Sequence, residues 1–250
     1  MATILEKPAL DPGKTTILVT GATGYIATHV VDQALKLGYT VRGTVRSEDK
    51  AEKTRKIFGN NSNYIPVIVR DFGKPGSEIE DAVRGVDAII HLASDTTFSV
   101  DPNVVIPGVV NGTKALLKAA AKEKSVKRFV LCSSMSAAVL PRTDVKQMVT
   151  TESFNDEAVE VAWRQKGESI GESPNGMVVY AASKTEGEKA FWRFIREEKP
   201  GFVGNSILPY FNIGTVIKGQ GEGVTSKMLL DLYRDGTKAI LPPRKLCLFR

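Results

Sequence analysis

Residues 16–27 read Thr-Ile-Leu-Val-Thr-Gly-Ala-Thr-Gly-Tyr-Ile-Ala, and few folds admit such a run. Ile17, Leu18 and Val19 form an apolar, β-prone segment that stops at Gly21. A second glycine follows at Gly24, and apolar residues then recur at Ile26, Val30, Val31, Ala34 and Leu35 with helical spacing. Strand, glycine turn and helix in that order make a phosphate-binding unit. Gly21 can take a tight turn that a side chain would resist. Gly24 lets the main chain come close to a pyrophosphate. The free N–H groups that open the helix, aided by its dipole, favour an anion there. Ala27 stands where the third glycine of G-x-x-G-x-x-G would stand and is small enough for helix–strand packing. Gly21, Thr23, Gly24, Tyr25 and Ile26 are therefore expected to touch a dinucleotide; the alternative is an ordinary strand–helix turn that happens to hold two glycines.

The rest of the chain repeats the alternation. Strands are expected at residues 16–20, 39–46, 64–69, 86–91, 126–132 and 202–208, and helices at 25–37, 48–58, 77–83, 102–122, 180–198 and 226–234. Apolar strands alternating with helices mean a parallel sheet covered on both faces. The expected fold is α/β: a Rossmann-type doubly wound parallel sheet with a partial C-terminal substrate-binding subdomain. Residues 1–14 read as a loose leader without an apolar signal core, 15–209 as the nucleotide-binding domain and 210–250 as part of a substrate-binding region. Residues 137–179 carry Pro, Gly, Asn, Glu and Ser with little periodicity. They are too long for a plain connection, so a surface excursion near the active site is expected.

Composition narrows the class. A length of 250 residues, 42% hydrophobic and 25% charged, suits one large domain with a core of its own. Cys132 and Cys247 give no disulfide framework, no run is expected to span a membrane, and a cytoplasmic location is the default. The bases behind the net charge of +6 are scattered, so no nucleic-acid partner is expected. His29 and His91 are the two histidines, and with two cysteines they do not readily assemble a metal site. His91 reads as a packed strand-end residue.

The chemistry gathers at strand ends. Arg46 closes the second strand, where an acidic residue would accept a ribose 2′-hydroxyl. A guanidinium there, with Arg42 and Lys50 nearby, can bind a 2′-phosphate, which favours NADP(H); the alternative is a solvated strand-end charge. Asp71 can accept from the adenine amino group or simply close a turn. His91-Leu-Ala-Ser94 ends the fourth strand with small residues that let a nicotinamide ribose lie close. Tyr180 and Lys184 share one helical face at a spacing of i, i+4. An ammonium beside a phenol lowers the phenol pKa, so Tyr180 is expected to exchange a proton with a carbonyl oxygen. Ser134, with Ser133 as the neighbouring candidate, can hydrogen-bond that oxygen.

With these residues in place the chain resembles the extended short-chain dehydrogenases/reductases. Within them it is similar to the dihydroflavonol-reductase-like group and to fungal NADPH-dependent aldehyde and carbonyl (methylglyoxal) reductases. The matching pieces are residues 20–27, 39–46, 91–94, 111–113, 126–134, 180–184 and 208–214. The resemblance implies NADPH, a Ser134–Tyr180–Lys184 triad and a small-molecule carbonyl substrate. It also implies that Arg46 and Lys50 contact the 2′-phosphate, and that Asp71 and Phe72 flank the adenine. Ala93 and Ser94 would lie on the nicotinamide side, and Pro209 at the carboxamide. Members of the family usually continue past the position of Arg250, so a shortened substrate region is expected here. Alternatives left open are a non-catalytic NADP-binding protein and a nucleotide-sugar epimerase or dehydratase. A homodimer is also left open.

Overall fold

In the computed structural model, residues 10–74, 76–142, 145–164, 175–221 and 223–235 are described. Short apolar strands and helices alternate: β1 (Thr16–Val19), α1 (Tyr25–Lys36), β2 (Thr40–Val45), α2 (Glu48–Ile57), β3 (Tyr64–Ile68), α3 (Ser77–Val83), β4 (Ala88–His91), α4 (Pro102–Lys122) and β5 (Arg128–Cys132). A longer connection holding α5 (Asp156–Trp163) leads to α6 (Gly176–Glu198), β6 (Val203–Ile207) and α7 (Val224–Arg234).

The six strands are parallel and lie in the order β3-β2-β1-β4-β5-β6. The order reverses between β1 and β4, and ligands of open α/β sheets bind outside the strand ends at such a switch point. Side-chain alternation along β1 divides its residues between the two faces. Leu18 joins Ile89, Leu116, Phe129 and Phe191 under α3, α4 and α6. Ile17 and Val19 join Val31, Val41 and Val45 under α1 and α2. Since Leu18 and Val19 are fully buried on opposite faces, β1 is the shared spine of both cores.

The expected elements are all present, most with ends moved by one or two residues. Three expectations are corrected. The connection after β5 is not without regular structure: Asn155 caps α5 by accepting from the Ala158 N–H, and Ala158 and Ala162 are buried. The helix carrying Tyr180 starts a turn earlier, at Gly176, where the Asn175 side chain accepts from the Val178 N–H. The described part of the leader is ordered: Pro12–Lys14 form a 3-10 turn capped by Asp11, and the Tyr39 hydroxyl donates to Leu10 O at 3.1 Å. In addition, α4 is long and apolar enough to cross a membrane by length and composition. It buries Val105, Ile106, Leu116 and Leu117 and packs against α6, as a core helix does. Residues 1–9, 165–174 and 236–250, with Cys247, lie outside the described residues.

Candidate functional site

The glycine turn sits at the carboxyl end of β1, held by main-chain and hydroxyl contacts. Gly21 adopts φ +68°, its N–H donates to Thr44 Oγ1 at 2.9 Å, and a Cβ built on it would fall 3.1 Å from Ala93 Cα. Glycine is therefore required twice over, by the left-handed backbone and by the approach of the β4 end. Gly24 caps α1 without any side-chain hydrogen bond, so the first-turn amides of α1 are left to a ligand. Thr28 Oγ1 donates towards Gly24 O at 2.7 Å, tying the turn to the helix. Thr23 and Gly24 are exposed, whereas Tyr25 and Ile26 are half-buried. The Tyr25 ring meets His29 edge-on at 5.3 Å.

Thr20 joins this turn to β4. Its Oγ1 accepts from the N–H groups of Leu92 and Ala93, both at 2.9 Å, and lies 2.8 Å from His91 Nδ1. With both lone pairs used, the hydroxyl proton must go to His91 Nδ1, which leaves His91 neutral with its proton on Nε2. Burial, then the nearby Lys184 charge, lowers the His91 pKa to about 3. His91 is thus a packed strand-end residue, as expected. Unfolded, it takes up a proton below pH about 6.5; folded, it resists until about 3. Between these values the unfolded chain binds more protons, so stability falls as pH falls through the window, by on the order of 5 kcal/mol in full. Urea unfolding of His91→Phe across that range should show a shallower loss than the parent chain, and an equal slope would exclude His91 as its source.

The structure separates the basic residues grouped in the sequence. Arg46 and Lys50 are exposed beyond the end of β2, with no ion pair among the described residues. Arg42 is committed elsewhere: its guanidinium donates to Ala82 O at 2.9 Å and Arg84 O at 2.7 Å, at the end of α3. Asp71 closes a turn by accepting from the Gly73 N–H at 2.8 Å. Phe72 leans on the His91 ring at 5.8 Å and on Gly112 of α4.

On the far side of the switch point, β5 delivers two serines with different tasks. Ser133 is buried and donates to Glu188 at 2.6 Å. Ser134 opens a 3-10 turn, Met135–Ala137, and its side chain lies near enough to the Tyr180 phenol to lower that group's pKa. Pro209 is brought alongside, its carbonyl accepting from the Met135 N–H at 3.0 Å. Lys184 is buried, donates to Cys132 O at 3.3 Å and lies 5.8 Å from the centroid of the Tyr180 ring. The expectation that the ammonium lowers the Tyr180 pKa is not met. Burial raises it, Ser134 partly offsets this, and Lys184 is not among the causes. Lys184 itself is pushed downward by burial. Ser94 lines the same small cavity as Lys184, His91 and Glu188, and its Oγ is buried without a hydrogen-bond partner.

Two residues of the site had no signal in the sequence. Phe98 sits with its ring 5.2 Å from that of Tyr180 and takes φ +54°. Its carbonyl lies where a side chain at Gly176 would go, 1.9 Å from a built Cβ. Glu188 is the second, gathering hydrogen bonds from β5 and β6.

A doubly wound parallel sheet with an uncapped glycine turn at its switch point defines the class, an α/β dinucleotide-binding fold. A family described as NAD(P)H-binding matches residues 21–168, and the chain belongs to that family. It is 44% identical over 225 residues to the NAD-dependent epimerase/dehydratase terH of Aspergillus terreus, covering 89% of this chain and 65% of that protein. It is 36% identical over 245 residues to aldehyde reductase 2 of Sporidiobolus salmonicolor, covering 94% of this chain and 70% of that protein. Among solved structures, yeast methylglyoxal/isovaleraldehyde reductase Gre2 complexed with NADPH superposes with a TM-score of 0.76 at 26% identity, covering 93% of this chain and 68% of that one. The chain thus spans 65% and 70% of the length of the two curated relatives.

Proposed function

We propose that the chain is an NADPH-dependent reductase of aldehydes or ketones. The observation that carries this reading is the meeting of Tyr180, Ser134 and Lys184 beside the Ala93–Ser94 strand end and the Gly21 turn. The residues fit a dinucleotide: a cradle at Gly21 that a Cβ would fill, uncapped amides at the start of α1, and the unpartnered Ser94 hydroxyl. Gly21, Thr23, Gly24, Tyr25 and Ile26 would hold the pyrophosphate, and Arg46 and Lys50 the 2′-phosphate. Asp71 and Phe72 would stand on the adenine side, Ala93 and Ser94 on the nicotinamide side, and Pro209 at the carboxamide. Bound there, the reduced nicotinamide supplies hydride.

The chain's own groups do the remainder. A buried phenol with a raised pKa holds its proton at neutral pH, the form needed to protonate a carbonyl oxygen. Ser134 orients that oxygen by hydrogen bonding. Lys184 would grip the ribose hydroxyls from its seat on Cys132 O. Residues 15–209 would form the nucleotide-binding unit and 210–250 part of the substrate region. The buried, unpaired Cys132 suits a reducing, cytoplasmic compartment.

The test is consumption of reduced cofactor on adding methylglyoxal, isovaleraldehyde or ethyl 3-oxobutanoate. NADPH should be oxidised, and NADH far more slowly. Arg46→Asp should weaken NADPH by roughly 10- to 100-fold, the worth of a charge-assisted contact, while sparing NADH. Binding of NADPH without its consumption would favour a non-catalytic NADP-binding protein. The name of the Aspergillus terreus relative favours a second reading, an epimerase or dehydratase. An epimerase leaves its cofactor in the same redox state at the end of turnover, so net NADPH loss separates the two.

A further inference from the structure

Tyr180, Lys184 and Glu188 stand at i, i+4 and i+8 on α6 and so form one stripe along the helix. Lys184 and Glu188 are its buried charged residues. Glu188 Oε2 accepts from Ser133 Oγ at 2.6 Å. Its Oε1 accepts from Ser206 Oγ at 2.8 Å and, at 3.4 Å, from Trp192 Nε1. All three neighbours donate, the complement of an ionised, acceptor-only carboxylate. Ser133 directly follows Cys132, whose carbonyl receives the Lys184 ammonium. Cation and anion are therefore anchored on adjacent residues of one strand and line one small cavity, with room for about one water.

We propose that Glu188 is a positioning residue: it is the buried counter-charge that keeps Lys184 an ammonium and fixes α6 on β5 and β6 so that this ammonium stays beside Tyr180. The proposal rests on the reading of Lys184 as the partner of Tyr180. The groups facing Lys184 can be taken element by element. From α6 they are Tyr180 and Glu188; from β5, Cys132; from β4, His91; α4 offers only Val109 and Thr113. His91 is neutral, and burial raises both the Cys132 thiol and the Tyr180 phenol, so each keeps its proton near neutral pH. Glu188 is the one anion of this set. An ammonium taken out of water without a counter-charge loses its proton instead.

The experiment follows the Cε resonance of Lys184 against pH in protein labelled with 13C at lysine, assigned by its loss in Lys184→Met. Glu188→Gln keeps the size and an acceptor oxygen but removes the charge. Its Lys184 midpoint should fall by about one pH unit, a tenfold loss of proton affinity, and Glu188→Asp should recover most of it. The alkaline limb of the NADPH-dependent pH–rate profile should move down with the midpoint. An unmoved midpoint in folded Glu188→Gln overturns the proposal, whatever the rate does, because a purely structural role predicts that result. Should Glu188→Gln not fold, the parent chain carries the test: Lys184 should show the Cε shift of an ammonium at pH 7, and the shift of a neutral amine there overturns the proposal. The titration needs neither substrate nor cofactor, so it fails or succeeds apart from carbonyl turnover.

Discussion

Tyr180→Phe should lower NADPH-dependent carbonyl turnover by roughly 10²- to 10⁴-fold, the usual worth of a positioned proton donor, and leave NADPH binding nearly unchanged. The substitution removes one oxygen and keeps the ring, which rests on Phe98 at 5.2 Å. Ser134 keeps its partner, the Ser136 hydroxyl, which donates to it at 2.9 Å. The fold therefore has little reason to change, and a large rate loss can be assigned to the proton. Turnover by stopped assay and NADPH affinity by cofactor fluorescence separate the two quantities. Turnover at the parent rate would remove Tyr180 from the mechanism; equal loss of binding and turnover would make it a cofactor residue alone.

Gly21→Val should have the second large effect, on binding. The backbone there sits at φ +68°, and any Cβ meets Ala93 Cα at 3.1 Å. Valine would bring strain of roughly 1–3 kcal/mol and would push the turn away from β4. NADPH affinity should fall by at least about tenfold for each 1.4 kcal/mol that reaches the bound state, with a lowered melting temperature. Parent-like NADPH affinity in a folded Gly21→Val protein would show that this turn is not the phosphate cradle.

Features encoded within a few residues were readable from the sequence. The β1–turn–α1 unit is announced by an apolar run, two glycines and a helical period, all inside residues 16–35. The Tyr180–Lys184 pair is likewise local. What escaped depends on distant partners or on direction. Arg42 and Arg46 look like one basic group, yet four residues along a strand is about 13 Å, and Arg42 turns to the carbonyls closing α3. The sequence favours Ser134 over its neighbour Ser133, but only the fold shows that the buried Glu188 carboxylate holds Ser133. Spacing implies that Lys184 depresses the Tyr180 pKa, but burial raises it, Lys184 is not among the causes, and the ammonium binds Cys132 O instead. Helix α5 leaves little trace in the sequence because its eight residues carry barely two turns of period, and its anchor is Asn155, which donates to Ser136 O at 2.9 Å.

The pairing of β5 with β6 continues past both strands: Ser133 N–H donates to Ile207 O at 2.9 Å and Met135 N–H to Pro209 O at 3.0 Å. Ser134 is therefore set against Pro209 by peptide groups, which every residue but proline carries alike. Side chains lining the substrate approach can be exchanged without moving that ruler. Under the proposed function, a scaffold of this kind would let selection retune which carbonyl is accepted while Ser134 keeps its place.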